Sequence, residues 1–280
     1  MICYAANGSK IQFYAIDGAT RPDPFVPLTE ELNIGNFLDR VEILQTVINI
    51  ARIIVTIRDS FPVTGYPAGK RKRIGNSEIT FNFDDVEKQF LLIHLPYGHM
   101  NPRGRVGFLK GMYEHAKHRR GLVEVKDGPG LNNTYYKVTL KTRGLGTHPR
   151  TGDELRRMTK DLVSGLAWLH SGDYLHRDIR LPNILYDPAT SQYFFIDFEH
   201  GGRESQEIID RGAWLKEWDE GTFVGGRYTK MSEMYQLGRL LKNEFGGILL
   251  EHGNDFVAKL EAKETTADEA LQHQWIRDVI

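Results

Sequence analysis

The stretch from Tyr174 to Asp187, YLHRDIRLPNILYD, constrains the fold of this chain more than any other part of the sequence. It sets a carboxylate, Asp178, and an amide, Asn183, five residues apart in a polar loop that runs into an apolar strand pattern. A second apolar run, Tyr193 to Ile196, ends in another carboxylate, Asp197. This order predicts a strand, a turn and a second strand that carry the three polar side chains at one end.

These three side chains suit the chemistry of phosphoryl transfer. The spacing H-R-D-x-x-x-x-N is typical of a loop whose carboxylate accepts the proton of an attacking hydroxyl or orients it, so Asp178 is the candidate for that role. An amide oxygen and a second carboxylate can share a magnesium ion, which makes Asn183 and Asp197 candidate metal ligands. In the alternative interpretation, His176, Arg177 and Asp178 form an ordinary polar turn before a buried strand.

Length, charge and cysteine content limit the other possibilities. The 280 residues can form one large domain or two lobes that share a cleft. The net charge of -1 gives no reason to expect binding to nucleic acid or to an anionic membrane. Because Cys3 is the single cysteine, no disulfide can form within the chain, and we expect an intracellular location, in the cytoplasm or the nucleus. The most apolar stretch, Ile43 to Ile57, is interrupted by polar residues and too short for a membrane span.

Residues 1–65 are predicted to form an N-terminal extension. Ile11 to Ile16 has the composition of a strand, and the prolines that follow it cannot continue a helix. From Asn36 to Arg58 apolar residues recur every three or four positions, which predicts a long amphipathic helix. We expect this helix to pack on the rest of the chain.

A basic run opens the next segment. Lys70 to Arg73 lies between Gly69 and Gly75, and we predict that it belongs to a solvated loop. The glycines do not follow the G-x-G-x-x-G spacing, so a loop that covers a phosphate here would be short.

Two lysines are candidates for contacting phosphate. Residues 78–91 have the pattern of a hairpin whose second strand carries Lys88, which could project to the α and β phosphates of a nucleotide or simply face solvent. The pattern from Gly107 to Arg119 is helical, and its Glu114 is the candidate partner of Lys88. Lys126 ranks second because no helix with an acidic partner follows it before the next strand.

The C-terminal half is predicted to be mainly helical. Residues 141–149 have the glycines and proline of a linker, where an adenine could hydrogen-bond to the backbone. Asp153 to His170 and Met231 to Lys242 have the apolar spacing of helices. Thr266 and Glu269 form a capping box before the last apolar run.

Three motifs together resemble the eukaryotic protein-kinase superfamily over roughly residues 70–280, namely HRDIRLPN, IDFE and the tail TADEALQHQWI. The form DIRLPNIL, with a long helix ahead of it, is similar to the kinase domains of fungal and oomycete crinkler-type effectors. The resemblance implies an α+β, two-lobed protein-kinase-like fold, with a small β-rich N-lobe and hinge over residues 66–146 and a mainly helical C-lobe over residues 147–280. An effector of this type would act inside a host cell.

The resemblance also implies roles for individual residues. Asp178 would be the catalytic base or the carboxylate that orients the substrate. Arg180 would contact the γ-phosphate of ATP, where Ser/Thr kinases have a lysine. An arginine can make that contact with two hydrogen bonds. Lys88 would bind the other phosphates, with Glu114 as its partner.

The implied cofactors are ATP and Mg²⁺. Asn183 and Asp197 would hold the metal ion. Glu199 stands where the family has a glycine, two residues after Asp197. A glutamate at this position could hold a second cation, as in choline and aminoglycoside kinases.

The resemblance further implies that Arg177 contacts a phosphorylated residue in the segment after Asp197. Thr222, Tyr228 and Thr229 are the candidates, and in the alternative interpretation all three are structural hydroxyls. Glu233 stands where the family has an aspartate at the start of a long helix.

Three functions remain open at this point. The first is a Ser/Thr protein kinase that transfers the γ-phosphoryl group of ATP to a protein hydroxyl. The second is a pseudokinase that binds a nucleotide or partner proteins, which the missing glycine-rich loop and Glu199 favour. The third is a small-molecule kinase, which the sequence IDFE favours.

Overall fold

In a computed structural model of the protein, the chain divides into two units, Met1–Val63 and Thr64–Ile280. The structure describes residues 2–16, 25–60, 69–82, 85–95, 101–132, 134–141, 144–204, 215–249 and 251–279. No helix within these ranges combines the length and the apolar character that crossing a membrane requires.

The first unit contains an antiparallel sheet followed by one long helix. Strand β2 pairs with each of the others, and the strands are β1 (Ile2–Asn7), β2 (Lys10–Ile16), β3 (Phe25–Pro27) and β4 (Leu32–Asn33). Helix α1 spans Phe37–Ser60, and the side-chain oxygen of Asn36 accepts a hydrogen bond from the N–H of Leu38 at 2.9 Å. The strand and the helix predicted for this part of the chain are therefore confirmed.

The second unit begins with a five-stranded antiparallel sheet. The strand order is β5-β6-β7-β9-β8, with β5 (Lys70–Ile74), β6 (Ser77–Phe81), β7 (Val86–Leu91), β8 (Val125–Leu131) and β9 (Tyr135–Leu140). The predicted hairpin is formed by β6 and β7, in which Lys88 lies opposite Ile79. Lys88 is therefore on the central strand of the sheet.

The basic run Lys70–Arg73 lies in β5, and the prediction of a solvated loop was wrong. Each of its residues has a partner in β6, beginning with Lys70 opposite Phe81. An edge strand can carry a row of charges because they face solvent and oppose pairing with another chain. The strands are joined by Gly75 and Asn76 alone, and Gly75 has a φ of 55°, in the left-handed region that such a tight turn requires.

Helix α2 (Pro102–Ala116) connects β7 to β8 and packs against β8. Its start is fixed by Asn101, whose side-chain oxygen accepts a hydrogen bond from the N–H of Gly104 at 2.8 Å. Pro102 is the first residue of the helix, where a backbone N–H would have no partner inside the helix, so proline fits there. The residues that α2 buries include Arg105, Val106, Leu109, Met112, Tyr113 and Ala116.

The remainder of the second unit is mainly helical, as predicted. Its helices are α3 (Gly152–Ser171), α4 (Lys230–Phe245), α5 (Glu251–Glu261), α6 (Ala267–Ala270) and α7 (Gln274–Arg277). The antiparallel strands β10 (Ile184–Asp187) and β11 (Gln192–Phe195) form the predicted strand, turn and strand, and β11 packs on α3. The predicted capping box of Thr266 and Glu269 is present at α6.

One buried apolar cluster joins the sheet to the helices within this unit, from Phe90 and Tyr136 to Phe256. The connection between α2 and β8 passes close to α3 at Gly121, whose φ is 78°. A Cβ atom there would clash with the carbonyl oxygen of Asp161. Only glycine fits at this crossing, because both the backbone conformation and the space exclude a side chain.

Candidate active site

His176 connects the polar loop to the strand that precedes Asp197. Its Nδ1 accepts a hydrogen bond from the N–H of Asp178 at 3.2 Å, and its Nε2 donates to the carbonyl oxygen of Ile196 at 2.8 Å. These two partners assign the neutral tautomer with the proton on Nε2. Because the ring is fully buried, it fixes the loop against the end of β11.

Arg177 and Glu233 fix the backbone of the same loop. Arg177 has a φ of 67°, which is uncommon for a residue with a long side chain. Its N–H donates to Oε1 of Glu233 at 2.6 Å, and Nε2 of His170 lies 2.9 Å from Oε2 of Glu233. The glutamate that replaces the aspartate expected in this helix therefore still holds the loop.

The carboxylate of Asp178 is oriented by its own loop. Its side chain is 2% exposed, and Oδ2 accepts a hydrogen bond from Nδ2 of Asn183 at 2.7 Å. Nε of Arg180 lies 2.9 Å from Oδ1, which balances the charge of the buried carboxylate. The structure thus brings together three of the residues singled out in the sequence.

Asn183 and Asp197 occupy adjoining backbone positions. The N–H of Ile196, the residue before Asp197, donates to the carbonyl oxygen of Asn183 at 3.0 Å. Asn183 uses its amide nitrogen on Asp178, so its amide oxygen is the side-chain atom it can offer to a metal. The side chain of Asp197 is 25% exposed. Because magnesium usually takes one or two carboxylates and completes its shell with phosphate oxygens and water, this pair fits Mg²⁺ brought by a nucleotide.

Lys88 reaches the site from β7. Its Nζ lies 2.6 Å from Oδ1 of Asp197 and 3.1 Å from Oε2 of Glu199. Burial acts to lower the pKa of Lys88, but the two carboxylates outweigh it and raise that pKa above its ordinary value. Burial likewise opposes ionisation of Asp197, yet the Lys88 ammonium holds the pKa of Asp197 well below its usual range. Lys126, the second candidate, pairs with Asp85 at 2.6 Å.

Glu114 does not contact Lys88, and the predicted pairing was wrong. Its side chain is 68% exposed and pairs with Lys117 at 3.4 Å. Successive residues of a helix point about 100° apart, so the burial of Tyr113 turns Glu114 towards solvent. The helical pattern located the helix but did not identify which residue faces Lys88.

Glu199 lies beside Lys88 instead. Its side chain is 3% exposed, and Oε1 accepts hydrogen bonds from the hydroxyls of Tyr136 at 3.0 Å and Tyr113 at 3.4 Å. Nη2 of Arg105 donates to the backbone carbonyl of Glu199 at 2.7 Å. Burial raises the pKa of Glu199 above its ordinary value, and the Lys88 ammonium opposes this rise. Both carboxylate oxygens of Glu199 have protein partners, and its predicted role in binding a second cation stays a prediction.

Three residues in this cluster were missed in the sequence, namely Arg105, Tyr113 and Tyr136. Burial raises the pKa values of both tyrosines well above the usual range, so their hydroxyls stay protonated and donate hydrogen bonds. Burial lowers the pKa of Arg105 to about 10. Tyr113 lies within the helical pattern predicted from Gly107 to Arg119, whereas Arg105 precedes it, and no local motif indicates that a glutamate lies opposite these residues.

The three hydroxyls proposed as phosphorylation sites are either buried or used to cap a helix. Thr222 and Tyr228 are fully buried, and Thr229 is the N-cap residue of α4. Nη2 of Arg177 donates to the carbonyl oxygen of Arg203 at 2.6 Å. For these three residues the interpretation as structural hydroxyls agrees better with the structure.

A cavity of about 290 Å³ lies next to the loop at Arg180. Trp218 forms part of its wall, and the Trp218 Nε1 donates to the carbonyl oxygen of Arg177 at 3.1 Å. Asp219 and Arg239, which pair at 2.7 Å, form another part. The cavity therefore presents charges of both signs and an aromatic surface next to Arg180.

No family model matches the chain. It is 22% identical over 243 residues to Crinkler effector protein 8 of Phytophthora infestans, which covers 85% of this chain and 39% of that protein. It is 35% identical over 118 residues to the probable serine/threonine-protein kinase fnkB of Dictyostelium discoideum, covering 40% of this chain and 22% of that protein.

A third relative is the mitogen-activated protein kinase SLT2/MPK1 of Saccharomyces cerevisiae, with 27% identity over 136 residues, 44% of this chain and 28% of that protein. The chain thus spans less than half of the length of each of these relatives. Among solved structures it is similar to the Cydia pomonella granulovirus kinase PK-1, with a TM-score of 0.57 and 12% identity over 81% of this chain and 99% of that chain. The chain has the protein-kinase fold and resembles the protein-kinase superfamily, as its motifs predicted.

Proposed function

We propose that the chain is a phosphotransferase that uses ATP and Mg²⁺, and that it acts as a Ser/Thr protein kinase. The observation that carries the proposal is the convergence of Lys88 from β7, Asp178 and Asn183 from one loop, and Asp197 from the end of β11. Together they supply a cation for phosphate, a carboxylate for the acceptor hydroxyl and two oxygen ligands for a metal ion.

Each residue has a defined task in this proposal. Asp178 accepts the proton of the acceptor hydroxyl or orients it, and Arg180 beside it contacts the γ-phosphate. Lys88 would bind the α and β phosphates, and Asp197, once released from its ion pair with Lys88, would hold Mg²⁺ together with Asn183. Mg²⁺, when bound, neutralises charge on the transferring phosphates.

The proposal of a protein substrate rests on the surroundings of Asp178. The cavity next to Arg180 can receive a side chain that neighbours the acceptor hydroxyl. The relatives named as Ser/Thr or mitogen-activated protein kinases support a protein hydroxyl as acceptor. The relative named an effector supports a role inside a host cell.

Magnesium-dependent phosphate incorporation tests the proposal. The purified chain is incubated with γ-labelled ATP, Mg²⁺ and a set of acidic and basic proteins. We expect Asp178→Asn to lower the rate about 10²- to 10⁴-fold, because general-base groups contribute on that scale. Asp197→Ala should abolish the magnesium dependence. Asp153→Asn, at a side chain that is 83% exposed, is the matched control and should leave the rate unchanged.

A pseudokinase is the second candidate, favoured by the two-residue turn at Gly75 and Asn76 where a phosphate-covering loop would be expected. Thermal melting with and without ATP and Mg²⁺ separates the two. A ligand that binds only the native state raises its melting temperature. A shift without any phosphate transfer would support the pseudokinase and contradict the proposed kinase.

A further inference from the structure

We propose that Glu199 is the carboxylate that positions Lys88 for its nucleotide, a role that no acidic residue of α2 performs in this chain. The inference rests on the proposed phosphotransferase function. It assigns Glu199 as a positioning residue that acts through Lys88, and it excludes Glu199 from the metal site.

The two carboxylates next to Lys88 differ in what they can do. Asp197 is 25% exposed, so it can turn from Lys88 towards a metal ion in the cleft. Glu199 is 3% exposed and has Lys88 as its ion-pair partner. When Asp197 leaves Lys88, the Glu199 carboxylate is the one that still holds the ammonium group.

The orientation of Glu199 is fixed by groups around it. Its Oε1 is held by the hydroxyls of Tyr136 and Tyr113, which leaves Oε2 directed at Lys88. The ring of Phe198 stacks on Tyr113 with centroids 4.7 Å apart, and Arg105 holds the carbonyl of Glu199. A buried carboxylate is tolerated only when its oxygens have such partners, so the same contacts that stabilise Glu199 also aim it.

Helix α2 contributes hydrogen-bond donors to this arrangement. Arg105 and Tyr113 face inwards and contact Glu199, whereas Glu114 faces solvent and pairs with Lys117. The carboxylate for Lys88 therefore comes from the segment after β11, and α2 determines where that segment lies. Movement of α2 would displace Glu199 and, with it, Lys88.

Steady-state kinetics of Glu199→Gln test the proposal. This substitution preserves the size of the side chain and removes its charge. We expect the KM for ATP to rise about ten- to a hundredfold, the scale of one hydrogen bond to a charged group, while the half-saturating Mg²⁺ concentration stays the same. Glu114→Gln removes the same charge from the exposed face of α2 and should change neither quantity.

Two outcomes would overturn the assignment. If Glu199→Gln leaves the KM for ATP unchanged, Glu199 does not position Lys88. If instead the half-saturating Mg²⁺ concentration rises and high Mg²⁺ restores the KM, Glu199 is a metal ligand.

A double-mutant cycle with Lys88→Met separates positioning from a general effect on the fold. If Glu199 acts through Lys88, Glu199→Gln should have little further effect on kcat/KM once Lys88 is replaced. Additive losses would mean that Glu199 acts elsewhere.

The same double-mutant cycle can be measured by thermal unfolding midpoints, which requires no nucleotide. We expect the shifts in the unfolding midpoint to be non-additive. Additive shifts would mean that Glu199 and Lys88 do not interact. Failure of the wild-type chain to bind or use ATP would instead count against the proposed function, and the unfolding cycle would still decide whether Glu199 holds Lys88.

Discussion

The candidate site has a loop side, around Asp178, and a lysine side, around Lys88. The residues that are in contact lie at very different separations along the chain on the two sides. On the loop side, Asn183 orients the carboxylate of Asp178 from five positions away in the chain. On the lysine side, Lys88 meets Asp197 and Glu199, which lie 109 and 111 positions from it. A spacing motif encodes the first set of contacts, whereas the second exists only once the sheet and the helices have packed together.

This difference explains which expectations failed. The placement of Asp178, Arg180 and Asn183 in one loop agrees with the structure, because a few residues determine it. The pairing of Lys88 with Glu114 failed, because it required knowing the rotation of α2 about its axis relative to the sheet. Substitutions on each side can test whether the difference in range is also a difference in function.

On the lysine side, the largest effect should separate Lys88 from Lys126. Lys88→Ala removes the cation next to Asp197 and should lower kcat about 10²- to 10³-fold, the scale found when one electrostatic donor is removed from an active site. Lys126→Ala removes an equal charge from a side chain that is 53% exposed and should change kcat less than about twofold. Phosphate incorporation measures both, and equal losses would remove the lysine side from the proposed site.

A smaller effect, on stability, should come from the loop side. Glu233→Ala removes the acceptor that the N–H of Arg177 and the ring of His170 share, and each is buried. We expect a loss of about 2–4 kcal/mol, because buried donors that lose an acceptor keep their desolvation cost. Glu114→Ala on the exposed face of α2 should change stability by less than about 0.5 kcal/mol. Urea unfolding measures both, and similar losses would mean that Glu233 does not anchor the loop.

The smallest effect should appear in the pH dependence of the Asp85–Lys126 pair. The hydrogen bond from Lys126 lowers the pKa of Asp85 below its ordinary value of 3.8. The stability that this pair adds is therefore present at neutral pH and is lost as the pH falls below that value. Because Lys126 is half-exposed, we expect the wild type to be more stable than Lys126→Ala by less than about 1 kcal/mol at pH 7, and by a smaller amount near pH 2.

Urea unfolding at both pH values, with and without added salt, checks this expectation. Salt should shrink the difference at pH 7, since exposed charges are screened. A difference of the same size at pH 2 would mean that Lys126 stabilises the sheet by an interaction other than its ion pair with Asp85.

Much of the fold follows from local patterns in the sequence. The apolar spacing predicted α3 and α4, and the alternation predicted β6 and β7. Lys70–Arg73 was misassigned because a row of basic residues shows no inward face, and only pairing with β6 makes it a strand. In an edge strand, charged residues can face solvent, so the composition of the segment does not predict a strand.

The sequence by itself determined the groups of the polar loop, because Asp178 and Asn183 are tied by a spacing that one turn and one strand enforce. It also determined that Asp197 follows a buried strand. Only the tertiary structure decided which carboxylates surround Lys88, and it buried Glu199 and exposed Glu114. The reason is physical: burial depends on the packing of α2 against the sheet, and that packing is a property of residues far apart in the chain.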